Sequence, residues 1–331
     1  MTDARIVDRA REIAEELLLP RATDTDAADL VPRENLDALA SAGLYGLTGP
    51  RDAGGRDADF ETYLGVIDAL ASGCLATTFI WLQHPGVVRA VAGANAVLRD
   101  RYLAPMCRGD IRAGIALGGL LAHAPGIRAR RDGQGWIFDG DAPWVTGWGR
   151  IDVLQVAGVG EGANIVYALI DAKPTAAMDV GAPLDLVALR SSATAAVRFR
   201  GLSVDDGAVT HIQPLAEREG QDHLTLRGHA ALATGVASRC ISLIGETPLA
   251  GQLDRVRRRL ASAAPEEMPA AKAAAAALAH RAAAALVVSS GSRSLLRSQQ
   301  ADRLAREALF LLVFGSRPKV RAALLTELAG S

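Results

Sequence analysis

Three polar side chains stand close together where a long helical stretch begins: Asp222, Thr225 and His229. The spacing of three and then four residues puts them on one helical face. That face would carry a carboxylate, a hydroxyl and an imidazole, and the first and last of these can act as a base. The same spacing also describes a solvated helix face, and both readings stand at this point. Trp144-Val145-Thr146 is a second candidate. An indole can pack on a flat ring, and a threonine hydroxyl can hydrogen-bond ring heteroatoms. The competing reading is a strand-end Trp in the core, with Thr present for its β-propensity. The third candidate is "FLLVFGSRPKVR", residues 310–321, an apolar helix that breaks at Gly315 and Pro318 with Phe314 just before the glycine. A phenyl ring accepts no proton.

These groups must be held in place by packed elements. The chain has 331 residues, half of them hydrophobic, enough for two or three units of ordinary domain size. Aromatics make up only 4%, so Ala, Leu and Val supply the packing, which favours close helix contacts. The formal net charge of -1 gives no global field for nucleic acid or an anionic membrane. The densest basic run, Arg255-Val256-Arg257-Arg258-Arg259, reads as a solvated helix face. Cys74, Cys107 and Cys240 are far apart, with no CxxC or Cys/His spacing, so they read as small buried residues, not disulfides or zinc ligands. Residues 1–20 are charged and helical in period, unlike a signal peptide. No uninterrupted apolar stretch reads as long enough to span a bilayer. The expectation is a soluble, cytoplasmic protein without a metal site.

Along the chain the period changes twice. Residues 1–111 read as a helical domain: Ile6, Ala10, Ile13 and Leu17 recur near helical spacing, Pro32 opens a second helix that stops at Gly43, and "FETYLGVIDALASG" continues the pattern. Residues 112–215 hold short Val- and Ile-rich runs separated by Gly and Asp, among them "GWIFDGDAPWVTG", "DVLQVAGV", "NIVYALIDA" and "AAVRFRGLSV", and read as a β-domain. Residues 216–331 are helical again. "PAAKAAAAALAHRAAAALVVSS", from Pro269, reads as a buried bundle helix in which His280 is an interface residue.

In this order the segments resemble the acyl-CoA dehydrogenase family. "VPRENLDALASAGLYGLTGPRDAGG" (31–55) looks like the family's N-terminal signature, a helix ending in A-G-L followed by P-x-x-x-G-G. "DALASGCLATTFIWLQH" (68–84) is similar to its next helix, and "YLAPMCRGDIRAGIAL" (102–117) resembles the L-P-x-x-x-x-G-E stretch before the β-domain. "GWIFDGDAPWVTG" (135–147) resembles G-x-x-[LI]-x-G-x-K-x-W-[IV]-[TS], "AVRFRGLSV" (196–204) parallels V-x-F-x-[DN]-V-x-V, and "RLAREA" and "FGSRPKVR" match the last helices.

The resemblance implies an α+β multidomain fold: an N-terminal helical domain, a middle β-barrel-like domain and a C-terminal four-helix bundle, assembled as a homodimer or homotetramer. It implies FAD between the β-domain and the bundle, partly held by a neighbouring subunit, and an acyl-CoA or related thioester as substrate. On this sequence the cofactor positions fall at Trp144 and Thr146, at Leu117 or Gly118 where the family has a flavin-contacting Thr, and at Gly291 in "SSGSRS". The family's Ser-Asp pair is replaced by Ala124-Pro125, with His123 beside it, and "GETPLAGQ" (245–252) stands where an R-x-x-F-G turn is expected. The usual glutamate base position is Phe314, and the alternative one on the first bundle helix is Thr225. Asp222 and His229 are the candidates for a relocated base, and Glu307 parallels a structural acidic position.

Three functions follow from the resemblance. One is an FAD-dependent α,β-dehydrogenation of an acyl thioester without the usual Glu. The second is a non-catalytic subunit in a mixed complex with a complete homologue. The third is a flavin-dependent monooxygenase on the same fold, which needs no glutamate base.

Overall fold

The computed structural model describes residues 3–117, 119–120 and 126–330. Asp3 opens the first helix by accepting the Arg5 N–H on its side chain, and α1 (Ala4–Ile13) buries Val7, Ala10 and Ile13 along one stripe. Pro32 precedes α2 (Arg33–Ser41), and the chain leaves that helix through Gly43 at φ +72°. Asp59 caps α3 (Phe60–Gly73), accepting the Thr62 N–H at 2.8 Å. In α4 (Leu75–Leu82) every residue but Leu82 is buried, which is why that segment shows no polar face. It is followed directly by α5 (His84–Ala92), which begins with a proline in its first turn.

Eight strands follow: β1 (Ala113–Ala116), β2 (Ile127–Asp132), β3 (Gly135–Val145), β4 (Val153–Val159), β5 (Asn164–Asp171), β6 (Met178–Pro183), β7 (Ala195–Asp205) and β8 (Val209–Pro214). They form one sheet in the order β6-β7-β3-β2-β4-β5-β8, with β1 alongside β4. The pairings are antiparallel except β1–β4 and β2–β4. Residues Ala195–Arg200 of β7 alternate buried and exposed, the pattern of a strand with one face on a core. That core is built by Phe138, Val145, Leu154, Val156, Val166, Val197 and Phe199. The β3–β7 register slips between Ala142 and Val145, so Trp144 lies in a bulge.

The C-terminal helices are α6 (Asp222–Ile244), α7 (Leu249–Ser262), α8 (Met268–Ser290), α9 (Gln300–Val313) and α10 (Pro318–Ala329). Small residues set how closely they pack. A Cβ on Gly235 of α6 would lie 2.3 Å from the Asp68 carbonyl of α3, so only glycine permits this approach. The alanines of α8 act similarly: Ala271, Ala273–Ala277, Ala279, Ala282 and Ala283 are all buried. One expectation needs correction here. The helical stretch Met268–Leu295 is long and apolar enough to cross a membrane, yet 56% of its apolar window is buried inside the protein. Ala271–Ala279 are all buried, so over that part the helix is packed inside the bundle on every side.

Ion pairs join the layers. Arg306 of α9 bonds Asp302 on its own helix, Asp26 of the N-terminal region at 2.5 Å and the Val187 carbonyl of the sheet domain at 3.2 Å. Arg303 and Glu307, one turn apart, form a buried pair at 2.5 Å. Glu307 is thereby engaged in a buried contact within α9. The three cysteines are free and buried.

Candidate functional site

The break between α9 and α10 lies where the resemblance places the catalytic base. The Phe314 N–H still bonds the Phe310 carbonyl at 3.0 Å, closing the last turn of α9. Gly315 then turns the chain at φ +63°, and Arg317 stands at the N-cap position of α10, whose first turn contains Pro318. Gly315 is needed for two reasons. Its backbone is left-handed, and a Cβ there would lie 2.1 Å from Nδ1 of His229.

Phe314 is held in an aromatic cluster. Its ring centroid is 4.9 Å from Phe79 of α4, edge to face, 5.3 Å from Phe310, stacked, and 4.4 Å from His229 of α6. Phe79 also meets Phe310 edge to face at 5.1 Å. Such geometries are favourable for aromatic pairs, so this is a packed apolar contact where a carboxylate was expected.

The structure brings Asp222, Thr225 and His229 onto the face of α6 that meets this turn, and gives the first two an arginine partner. The Arg317 guanidinium donates to both oxygens of Asp222, at 3.1 and 3.2 Å. Nη2 of Arg218 donates to the Thr225 hydroxyl at 3.2 Å. His229 keeps a buried Nδ1 with no partner among the described residues. Burial first, then Arg317, Lys272 and Arg218, push its pKa down to about 3. Its ring is therefore neutral at pH 7 and too weak to draw a proton from carbon. Lys272 of α8 is 1% exposed, and its ammonium donates to the Leu311 carbonyl at 3.4 Å. Burial, then Arg317, push its pKa down to about 8.

The sheet side of the site is built at the end of β3. Trp144, lifted out by the bulge, is 61% exposed. Two residues on, Thr146 turns inward: its hydroxyl is 3.1 Å from that of Thr194, which is 2.9 Å from that of Ser192. Next in the chain, Gly147 packs on Ile80 of α4, and the turn at residues 190–192 packs against the same helix. Since α4 also carries Phe79, it is the element common to both halves of the site.

Leu117 joins a small apolar cluster with Leu120, Ala157, Ile165 and Tyr167, so its position supplies no side-chain hydrogen bond. Gly118, His123, Ala124 and Pro125 lie outside the described residues. Gly291 ends α8, 19 residues beyond Lys272. At 1.5 Å per residue that is about 28 Å along the helix from the Phe314 turn, so within one chain the two do not meet. Among the described residues no group of His, Cys, Asp and Glu is arranged to hold a metal.

Sequence reasoning missed Phe79, Phe310, Arg218, Lys272 and the Ser192–Thr194 pair. Two left a signal: Lys272 interrupts the alanine run at its fourth position, and "RSSAT" is a dense hydroxyl cluster just before β7.

The fold is that of acyl-CoA dehydrogenases. The structure superimposes on butyryl-CoA dehydrogenase from Megasphaera elsdenii with a TM-score of 0.84 at 17% identity, covering 100% of this chain and 98% of that one. Dibenzothiophene monooxygenase from Paenibacillus shares the fold with a TM-score of 0.79 at 18% identity, over 98% of this chain and 95% of its own. Residues 2–110 match the family model "Acyl-CoA dehydrogenase, N-terminal domain". The chain is 22% identical over 273 residues to the human mitochondrial short-chain specific acyl-CoA dehydrogenase, which covers 80% of this chain. It spans 65% of that relative's length. The N-terminal third of the chain thus matches an acyl-CoA dehydrogenase domain, and the whole chain shares that family's fold.

Proposed function

We propose that this chain is a flavin-binding subunit of acyl-CoA dehydrogenase type that does not remove the substrate α-proton itself, and that it works beside a complete homologue that does. The observation that carries the reading is Phe314, packed against Phe79, Phe310 and His229 where the family presents its base. Dehydrogenation needs both a hydride acceptor and a proton acceptor. Bound FAD supplies the first. For the second, this chain offers a phenyl ring at 314, a hydroxyl at 225, a carboxylate at 222 held by Arg317, and an imidazole that burial pushes down to about 3. The ring and the hydroxyl take no proton, the imidazole is a weak base, and both oxygens of the carboxylate are engaged by Arg317.

The residues at the end of β3 support flavin binding. An indole 61% exposed offers apolar area that a flat ring would bury, and the Thr146 hydroxyl, bonded to Thr194 on one side, has a second hydrogen-bonding direction available. Trp144 and Thr146 fit the ring end of FAD. Leu117 adds only apolar surface, and Gly291, about 28 Å along α8 from the Phe314 turn, adds nothing to this end of the site.

The test is to purify the chain alone and co-expressed with a complete homologue, and to measure flavin absorbance per chain and anaerobic bleaching by a panel of acyl-CoAs. Bound flavin that no acyl-CoA bleaches in the chain alone, but that is bleached in the complex, is the expected result. Bleaching of the isolated chain by an acyl-CoA would overturn the loss of proton abstraction. Protein that stays colourless after incubation with FAD, alone and in the complex, would overturn the flavin reading.

A further inference from the structure

We propose that Ser192 and Thr194 are positioning residues for Thr146: the three hydroxyls form a buried relay that presents the Thr146 O–H as a hydrogen-bond donor to the ring of a bound flavin. The inference rests on the flavin-binding reading above and adds the residues that set the polarity of that contact.

The three side chains are almost fully buried, with Thr146 at 5%, Thr194 at 2% and Ser192 at 0% exposure. Thr194 lies between the other two, at 3.1 Å from Thr146 and 2.9 Å from Ser192. Each hydroxyl has one proton and two lone pairs, so the chain can run in either direction, and burial selects one of them. If Thr146 donated to Thr194 and Thr194 to Ser192, the Ser192 proton would be left in the protein interior facing no acceptor, which is costly. If Ser192 donates to Thr194 and Thr194 to Thr146, every proton inside the relay is used. The proton that remains is that of Thr146, the least buried of the three. Thr146 therefore meets a ligand as a donor.

The backbone holds this arrangement against its own preference. The Gly147 N–H donates to the Ser192 carbonyl at 2.8 Å, which ties the end of β3 to the relay. The Val31 N–H donates to the Ser191 carbonyl, also at 2.8 Å, and Arg190 pairs with Asp29. Leu189 and Ala193, on either side of this turn, adopt left-handed backbone at φ 57° and 46°. Non-glycine residues persist there only when the surroundings over-determine them, and such strain gathers at functional sites. Here it places two hydroxyls behind Thr146.

A donor aimed at the flavin ring stabilises the electron-rich reduced form over the oxidised one. Thr194→Val keeps the shape and removes the hydroxyl, so Thr146 loses the donor that orients it. At a fixed redox poise the ratio of reduced to oxidised bound flavin should then fall about two- to tenfold, the range expected of one hydrogen bond, with a shifted visible spectrum. Thr194→Ser should restore both readouts. Ser192→Ala should move them in the same direction as Thr194→Val, by less. FAD content and thermal melts are measured on every variant. If Thr194→Val binds FAD with wild-type poise and spectrum, the relay is overturned while flavin binding stands. If Thr194→Val does not fold, Ser192→Ala decides, and wild-type values there overturn the relay. Wild-type protein that takes up no FAD overturns both readings.

Discussion

Replacing Gly315 with alanine should destabilise the protein through one identifiable neighbour. The backbone there sits at φ +63°, where an L-residue costs about 1–2 kcal/mol. The added Cβ would stand 2.1 Å from Nδ1, 2.9 Å from Cε1 and 3.1 Å from Cγ of His229. It would thus strike the body of the ring and not a flexible tip. The ring cannot easily retreat, because Phe314 packs on it at 4.4 Å, and forcing such a shift costs about 1–3 kcal/mol. The sum is a loss of about 2–5 kcal/mol. Urea denaturation followed by circular dichroism would measure it in four proteins: wild type, Gly315→Ala, His229→Ala and the double variant. Removing the ring should relieve the overlap and leave only the backbone cost, giving a coupling energy of about 1–3 kcal/mol. A Gly315→Ala cost below about 1 kcal/mol, or a cost unchanged in the His229→Ala background, would refute the reasoning.

Other outcomes follow from the buried charges. Burial lowers the Lys272 pKa from 10.5 to about 8, so between those values the unfolded chain binds more protons than the folded one. Stability should therefore rise with pH across that window, by about 3 kcal/mol. Lys272→Met should flatten the rise in denaturation curves taken from pH 7.5 to 10.5. Arg306→Met leaves Asp26 and Asp302, at 13% and 19% side-chain exposure, without their shared cation. Thermal melts should show a loss of about 2–4 kcal/mol, somewhat below the figure for a fully buried pair.

The elements were largely legible in the sequence because their signals are local. The stop at Gly43, the proline at the start of the alanine-rich helix, the Val- and Ile-rich runs and the break at Gly315 and Pro318 all fall where the structure places helix ends and strands. Chemistry at the site was legible only as residue types. Asp222 looked available as a base until Arg317, 95 residues away, was found holding it. Thr146 looked free to face a ligand until Thr194, 48 residues on, was found behind it. The apolar reach of Met268–Leu295 was underestimated because Lys272, His280 and Arg281 break the run in sequence, while in the fold Lys272 is buried at 1% exposure.

By itself the sequence determined the order of helical, sheet and helical segments and the helix break at Gly315 with Phe314 before it, because periodicity, turn residues and side-chain identity are properties of the local chain. Only the tertiary structure decided what Phe314 touches. Phe79 comes from α4 and His229 from α6, and their approach depends on the close packing that Gly235 and Gly315 allow. Contacts between distant segments exist only once the chain has closed on itself, and in this protein those contacts decide which polar groups of the site are already engaged.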